Sequence, residues 1–97
     1  FAPIACVIRA RDYEHALEIL NDTDFGLTAG IITQSLATAS DFKKRAVSGC
    51  VMVNLPTAGT DYHVPFGGRK ASSFGPREQG QYAREFYTTV KTSYLQA

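Results

Sequence analysis

The residues that could do chemistry in this chain gather in one long segment, residues 54–80, which is rich in glycine, proline, serine and threonine. It contains one histidine, His63, and a tetrapeptide at 67–70 that joins two glycines to two cations. Connections longer than about 12–15 residues are usually functional or disordered. Disorder is disfavoured here because the segment contains Tyr62 and Phe66, and disordered segments are poor in aromatic residues. We therefore predict an ordered loop that carries aromatic side chains to a site.

The sequence contains no complete set of catalytic or metal-ligating residues. Cys6 and Cys50 stand singly in apolar runs, which predicts buried, reduced thiols and a cytoplasmic protein. His15 is expected on the polar side of its helix, and His63 either makes a structural hydrogen bond or orients a ligand. The spacing of histidine, cysteine and acidic residues matches neither a zinc nor a calcium site, and residues 67–70 match no nucleotide-binding fingerprint. From the residues alone we predict a binding surface without a reactive centre.

The composition argues against two kinds of partner. The chain has 97 residues and a formal net charge of +1, so it has no basic field for nucleic acid. No apolar run approaches the roughly 18 residues that span a bilayer, and no signal-peptide pattern is present.

Because the chain starts at Phe1 rather than at methionine, we expect a processed or excised piece of a longer protein.

The order of the predicted elements indicates an α/β fold with parallel strands and crossover helices. Three apolar runs predict strands at residues 4–8, 27–33 and 50–55. Helices are predicted to begin after the capping residues Asp12 and Ser35. Alternation of strand and helix is typical of a parallel sheet with right-handed crossovers.

Two more elements are predicted after the long loop: a helix over residues 77–87 and a strand over 88–95. The final stretch alternates Thr, Val, Thr and Tyr with other residues and is β-prone throughout. As a free edge it would present unpaired backbone groups to another chain. It is therefore expected to pair either within this domain or with a partner.

Several motifs resemble, in the same order, those of the NAD(P)-dependent aldehyde dehydrogenase superfamily. The strongest is Pro-Phe-Gly-Gly-Arg-Lys at 65–70, which resembles the superfamily's C-terminal signature. The signature continues through Ser72, Gly75, Arg77, Glu78 and Gly80, and further similar motifs lie at 1–3, 21–30, 51–54 and 90–92. Within the superfamily, residues 56–59 and 61–65 look most like the α-ketoglutarate semialdehyde (2,5-dioxovalerate) dehydrogenase branch.

The resemblance implies that residues 1–87 form the C-terminal part of the catalytic domain and that 88–97 form the terminal oligomerisation strand. In that family a cysteine attacks the aldehyde, NAD or NADP takes the hydride, and a glutamate helps to hydrolyse the thioester. Both residues lie upstream of the part resembled here, so we expect this chain alone to be inactive. Its expected partners are a small-molecule aldehyde, the rest of the dehydrogenase chain and further copies in a homo-oligomer.

The resemblance implies roles for Phe1 and Phe66, and a role for Arg69 is a separate hypothesis because that position is variable in the family pattern. Phe1 would lie against the nicotinamide ring, next to Ala2, which stands where the family usually has glycine. Phe66 would line the aldehyde pocket, with plain core packing as the alternative. Arg69, together with Lys70, is hypothesised to bind the carboxylate of a semialdehyde.

A second hypothesis is not enzymatic. The chain would then be an assembly module whose strand at 88–95 adds to a partner's sheet. A piece cut from a larger sheet also exposes a face that other residues would cover, and we expect it to dimerise through that face.

Overall fold

The computed structural model describes residues 2–97, which contain three α-helices, a 3-10 turn and four short strands. In chain order these are α1 (Tyr13–Asn21), β1 (Phe25–Gly26), β2 (Thr28–Ile31), α2 (Leu36–Arg45), β3 (Cys50–Val53), β4 (Arg69–Lys70), the 3-10 turn (Gly80–Tyr82) and α3 (Ala83–Phe86).

The parallel pair β2 and β3 is the centre of the fold. Thr28 lies opposite Cys50 and Ile31 opposite Val53, and α2 connects the two strands. A parallel pair needs such a crossover because the chain must return to the same end of the sheet. The predicted α/β class with a crossover helix is confirmed. The strands β1 and β4 form a separate antiparallel pair.

Both predicted helix caps are present. The Asp12 carboxylate accepts a hydrogen bond from the backbone N–H of His15 at 2.8 Å. The Ser35 hydroxyl accepts one from the backbone N–H of Thr38 at 3.2 Å. Each bond satisfies one of the backbone donors that the first turn of a helix leaves unpaired.

The apolar core is small and lies between the two long helices and β2. Its buried members are Leu17, Ala29, Phe42 and Ala46, with Tyr13, Leu20, Ile31 and Val51 packed around them. Leu36 also belongs to α2 but is 82% exposed. It lies in the first turn of the helix, beside an open groove rather than against the sheet.

Two predicted elements differ in the structure. Residues 4–8 form no strand and are exposed, so the strand predicted there is wrong: within residues 2–97, β2 and β3 pair only with each other and not with this run. The helix expected over 77–87 is reduced to the 3-10 turn and α3. Gln79 and Gly80 have φ values of 67° and 53°, and this left-handed backbone cannot continue a right-handed helix.

The segment 88–97 is exposed along its whole length and carries no strand within the described chain. The molecule measures 70 × 31 × 22 Å, and its radius of gyration is 17.8 Å. A compact chain of this length would have a radius of gyration of roughly 12–13 Å. A strand here would need a partner from elsewhere, so the terminal assembly strand stays a prediction.

Candidate functional site

The long loop begins at Asn54, whose side chain extends the ladder between β2 and β3. Its amide oxygen accepts a hydrogen bond from the Thr33 N–H at 2.8 Å, and its amide nitrogen donates to the Thr33 carbonyl at 2.9 Å. The Asn54 backbone takes a φ of 57°, which turns the chain out of the strand. A groove of about 210 Å³ opens beside it at the carboxyl ends of both strands. Open parallel sheets place ligands at this end.

The loop returns to the fold at Gly67 and Gly68, which we call the glycine turn. Both residues are buried. Gly49, just before β3, packs so closely on it that a Cβ at position 49 would lie 1.7 Å from the Gly67 oxygen. Only glycine therefore fits at position 49, and the close backbone contact ties the far end of the loop to β3.

Two polar side chains also hold the glycine turn. The Ser73 hydroxyl accepts a hydrogen bond from the Gly68 N–H at 2.6 Å. The Arg77 guanidinium donates to the Gly68 carbonyl and packs against Gly67. Both backbone polar groups of Gly68 thus have side-chain partners, which a buried peptide group requires.

Phe66 lies immediately before the glycine turn. Its backbone forms an antiparallel bridge with Glu78: the Phe66 N–H donates at 2.7 Å, and the Phe66 carbonyl accepts at 2.8 Å. The side chain is half-buried and lies outside the apolar core of Leu17 and Phe42. The backbone is fixed by these bonds while the residue stays partly exposed, an arrangement that suits a residue lining a pocket.

Arg69 and Lys70, which the sequence analysis grouped together, have different surroundings. The Lys70 ammonium donates to the backbone carbonyls of Asn21 at 2.6 Å and Thr23 at 2.8 Å. It therefore holds the turn after α1. Arg69 lies opposite Gly26 in the β1–β4 pair, is exposed, and forms no ion pair with any residue in the range 2–97. Of the two cations, Arg69 is the one available to a ligand.

The two histidines, which the sequence analysis also considered, have other surroundings than the glycine turn. The His63 ring is exposed and meets the edge of the Tyr62 ring at a centroid distance of 5.5 Å. The His15 ring accepts a hydrogen bond from the Arg11 N–H at 3.2 Å, so it helps to order the start of α1. Across residues 2–97, no three histidine, cysteine or acidic side chains are grouped closely enough to hold a metal ion.

The two cysteines are free thiols in different surroundings. Cys50 is partly buried, with its sulfur 3.9 Å from the Gly67 carbonyl oxygen. Cys6 is exposed, so the prediction of a buried thiol is wrong there, because the run 4–8 packs against no strand. The predicted contact of Phe1 with nicotinamide lies outside the described residues. None of the helices within residues 2–97 has the length and apolar character needed to cross a membrane.

A polar cluster between α1 and α2 was not predicted from the sequence. Arg45 forms ion pairs with Glu14 at 2.6 Å and Asp41 at 3.1 Å, and the Tyr13 hydroxyl donates to Asp41 at 2.7 Å. The hydrogen bond from Arg45 lowers the pKa of Glu14, and the bond from Tyr13, aided by Arg45, lowers that of Asp41. The pKa of Tyr13 is raised, mainly by desolvation and to a smaller extent by the hydrogen bond to Asp41. This cluster joins two helices and lies apart from the loop.

The sequence profile of the aldehyde dehydrogenase family matches residues 1–93. The alpha-ketoglutaric semialdehyde dehydrogenase of Bacillus subtilis is 39% identical over 95 residues, covering 98% of this chain and 20% of that protein. The alpha-ketoglutarate semialdehyde dehydrogenase of Haloferax volcanii is 43% identical over 95 residues, covering 97% and 20%. The chain thus spans about one fifth of the length of these relatives.

Solved structures give the same result. A salicylaldehyde dehydrogenase from Pseudomonas putida, complexed with salicylaldehyde, superposes with a TM-score of 0.83 at 26% identity, covering 100% of this chain and 21% of that one. The betaine aldehyde dehydrogenase of Staphylococcus aureus, complexed with NAD+, has a TM-score of 0.71 at 26% identity, covering 78% and 15%. An NADP complex of glyceraldehyde-3-phosphate dehydrogenase from Methanocaldococcus jannaschii has a TM-score of 0.69 at 33% identity, covering 74% and 16%.

The resemblance found in the sequence is therefore confirmed by a profile that covers almost the whole chain and by structures that carry NAD or NADP. The glycine turn, the bridge at Phe66 and the parallel pair all lie within the matched residues. This chain belongs to the aldehyde dehydrogenase family.

Proposed function

We propose that this chain is the C-terminal part of the catalytic domain of an NAD(P)-dependent dehydrogenase that oxidises a carboxylated semialdehyde to a carboxylic acid. The observation that carries the proposal is the arrangement around the glycine turn. A half-buried aromatic residue, Phe66, lies on one side of it, and an exposed, unpaired cation, Arg69, lies on the other. The similarity to two semialdehyde dehydrogenases supports this choice of substrate.

Each of these residues has a distinct role in the proposal. Phe66 provides an apolar wall for the aldehyde, which excludes water from the reacting carbon. Arg69 binds the distant carboxylate, since a planar guanidinium pairs with a carboxylate through two parallel hydrogen bonds. The bound cofactor supplies hydride acceptance, and Phe1 is proposed to lie against its nicotinamide. The cysteine and the glutamate that complete the reaction are assigned to the rest of the protein, so this chain alone is expected to form no NAD(P)H from any aldehyde.

The test is to replace Arg69 by Ala in the complete dehydrogenase. A hydrogen bond to a charged group contributes about 1.5–3 kcal/mol, so kcat/KM for a carboxylated semialdehyde should fall about 10- to 150-fold. A neutral aldehyde of equal length should be almost unaffected. The fall in kcat/KM should come from a higher KM and not from a lower kcat, because the carboxylate contact is made in both the ground state and the transition state.

The matched control is Lys70→Met, which removes the adjacent cation. Because the Lys70 ammonium is bound to the carbonyls of Asn21 and Thr23, this change should lower stability and leave substrate preference unchanged. The assignment of Arg69 would be refuted if its replacement lowered kcat/KM equally for the carboxylated and the neutral aldehyde. It would also be refuted if the Lys70 variant changed the preference between these two substrates.

An assembly role for the last residues is a second candidate. Val90, Tyr94 and Leu95 are each at least 95% exposed, which is unusual for apolar side chains in a stretch with strand propensity. Such a segment suits strand addition to a second copy, and hence a homo-oligomer. Light scattering at increasing concentration should show association for the whole chain and a loss of association after truncation at residue 87. A whole chain that stays monomeric at high concentration would refute this role.

A further inference from the structure

We propose that Arg77 is a positioning residue for the substrate pocket. Its guanidinium donates to the Gly68 carbonyl and so holds the glycine turn, which separates Phe66 from Arg69 along the chain. This inference rests on the proposed function, because it concerns the two residues assigned there to the aldehyde and the carboxylate.

The contacts of Arg77 fall on the middle of the turn. One guanidinium nitrogen donates to the Gly68 carbonyl. A Cβ at Gly67 would lie 2.7 Å from that nitrogen and 2.9 Å from the Arg77 Cδ, so the Arg77 side chain occupies the space that a side chain at position 67 would need. The neighbouring Glu78 is bridged to Phe66 through two backbone hydrogen bonds. Residues 66–68 and 77–78 are therefore joined by three hydrogen bonds.

Without these contacts the turn would be held only by the Ser73 hydrogen bond and the packing of Gly49. Glycine has more backbone freedom than any other residue, so two adjacent glycines hold one conformation only if their surroundings impose it. The Gly68 carbonyl would also lose its side-chain donor in a buried position. A methionine at position 77 could fill the space but could not donate, and a lysine could donate but has no flat surface to cover Gly67.

The consequence for catalysis is a fixed span between the aromatic wall and the cation. A substrate with an aldehyde at one end and a carboxylate at the other must reach both at once. If the turn moves, one end can still bind, but the aldehyde is no longer held in a reactive position, and misplacement of this kind lowers kcat. A neutral aldehyde, which uses only Phe66, should be less affected.

The test is a double-mutant cycle in the complete dehydrogenase with Arg69→Ala and Arg77→Met. If Arg77 acts by placing Arg69 relative to Phe66, the Arg69 change should cost about tenfold or more in kcat/KM for the carboxylated substrate in the native background. It should cost less than about threefold when Arg77 is already replaced, because coupled residues are not additive. Arg77→Lys should restore part of kcat, since it returns the donor to Gly68.

The matched control is Arg84→Met, which removes an exposed arginine on α3 and should be additive with Arg69→Ala. Additive losses for Arg77→Met and Arg69→Ala would overturn the inference, even if the Arg69 result upholds the proposed function. A native enzyme that oxidises no aldehyde, or an Arg69 variant with unchanged preference, would overturn both. If Arg77→Met does not fold, the same cycle with Arg77→Lys decides the question, with intermediate coupling as the expected result and additivity as the refutation.

Discussion

Asn54 offers a sharp test of how the loop is attached to the sheet. Replacing it by Ala removes the two hydrogen bonds to the Thr33 backbone, at 2.8 and 2.9 Å. Each such bond contributes about 0.5–1.5 kcal/mol, and the exposed position favours the lower half of that range, so their combined loss is about 1–2 kcal/mol. Asn54 also has a φ of 57°, which asparagine tolerates and alanine does not, at a further cost of about 1 kcal/mol. The free energy of unfolding should fall by about 2–3 kcal/mol.

Asn54→Gly separates the two contributions. Glycine loses the same hydrogen bonds but adopts the positive φ without strain. This variant should therefore be about 1 kcal/mol more stable than Asn54→Ala, although glycine is usually the less stable choice. A substitution of the neighbouring exposed residue, Gln34→Ala, should change stability by less than about 0.5 kcal/mol.

The assay is urea unfolding of each variant, combined with hydrogen exchange at the Thr33 amide. That amide donates to the Asn54 side chain, so its exchange should speed up in both Asn54 variants and stay slow with Gln34→Ala. The reasoning is wrong if Asn54→Ala is as stable as Asn54→Gly, or if exchange at Thr33 does not change.

Two other changes test the core and the polar cluster. Phe42→Ala should lower the free energy of unfolding by about 3–5 kcal/mol, because Phe42 is only 4% exposed. Leu36→Ala in the same helix should lower it little, because Leu36 is 82% exposed. Equal urea-unfolding midpoints for the two variants would contradict the assigned core. Arg45→Met should destabilise the chain at neutral pH. Because the folded-state pKa values of Glu14 and Asp41 are lowered, their stabilisation is present above the ordinary values of 4.5 and 3.8 and is lost as the pH falls below them. The stability difference between native chain and variant should shrink on acidification from pH 6 to about pH 3, and a constant difference would refute the ion pairs.

The parts of the fold that the sequence predicts are those decided by neighbouring residues. Asp12 and Ser35 cap helices because their oxygens reach backbone donors three residues away. The strand at 50–53 forms because its apolar run pairs in parallel with the apolar run of β2, to which α2 connects it. The run at 4–8 is just as apolar but remains exposed, because a strand is defined by its partner as much as by its own residues.

The candidate site also has parts that the sequence predicts and parts that it does not. The loop and Phe66 are visible in the sequence, because glycines and aromatic residues are unusual together in a long connection. The separation of Arg69 from Lys70 is not visible, since the carbonyls that bind Lys70 are 47 and 49 residues away. The contact of Gly49 with Gly67 likewise depends on how the loop returns, which local spacing does not encode.

The two attachments of the long loop bear on how new specificities could arise. One end is held at Asn54 and the other at the glycine turn, while most of residues 55–61 are exposed. Doubling the length of a flexible loop costs only about 0.6 kcal/mol in closure entropy. Insertions and exchanges in this stretch can therefore accumulate without moving Phe66 or Arg69. The fold thus offers an exchangeable segment between two fixed attachments, and an engineer could vary the surroundings of the proposed substrate pocket there without replacing the residues assigned to it.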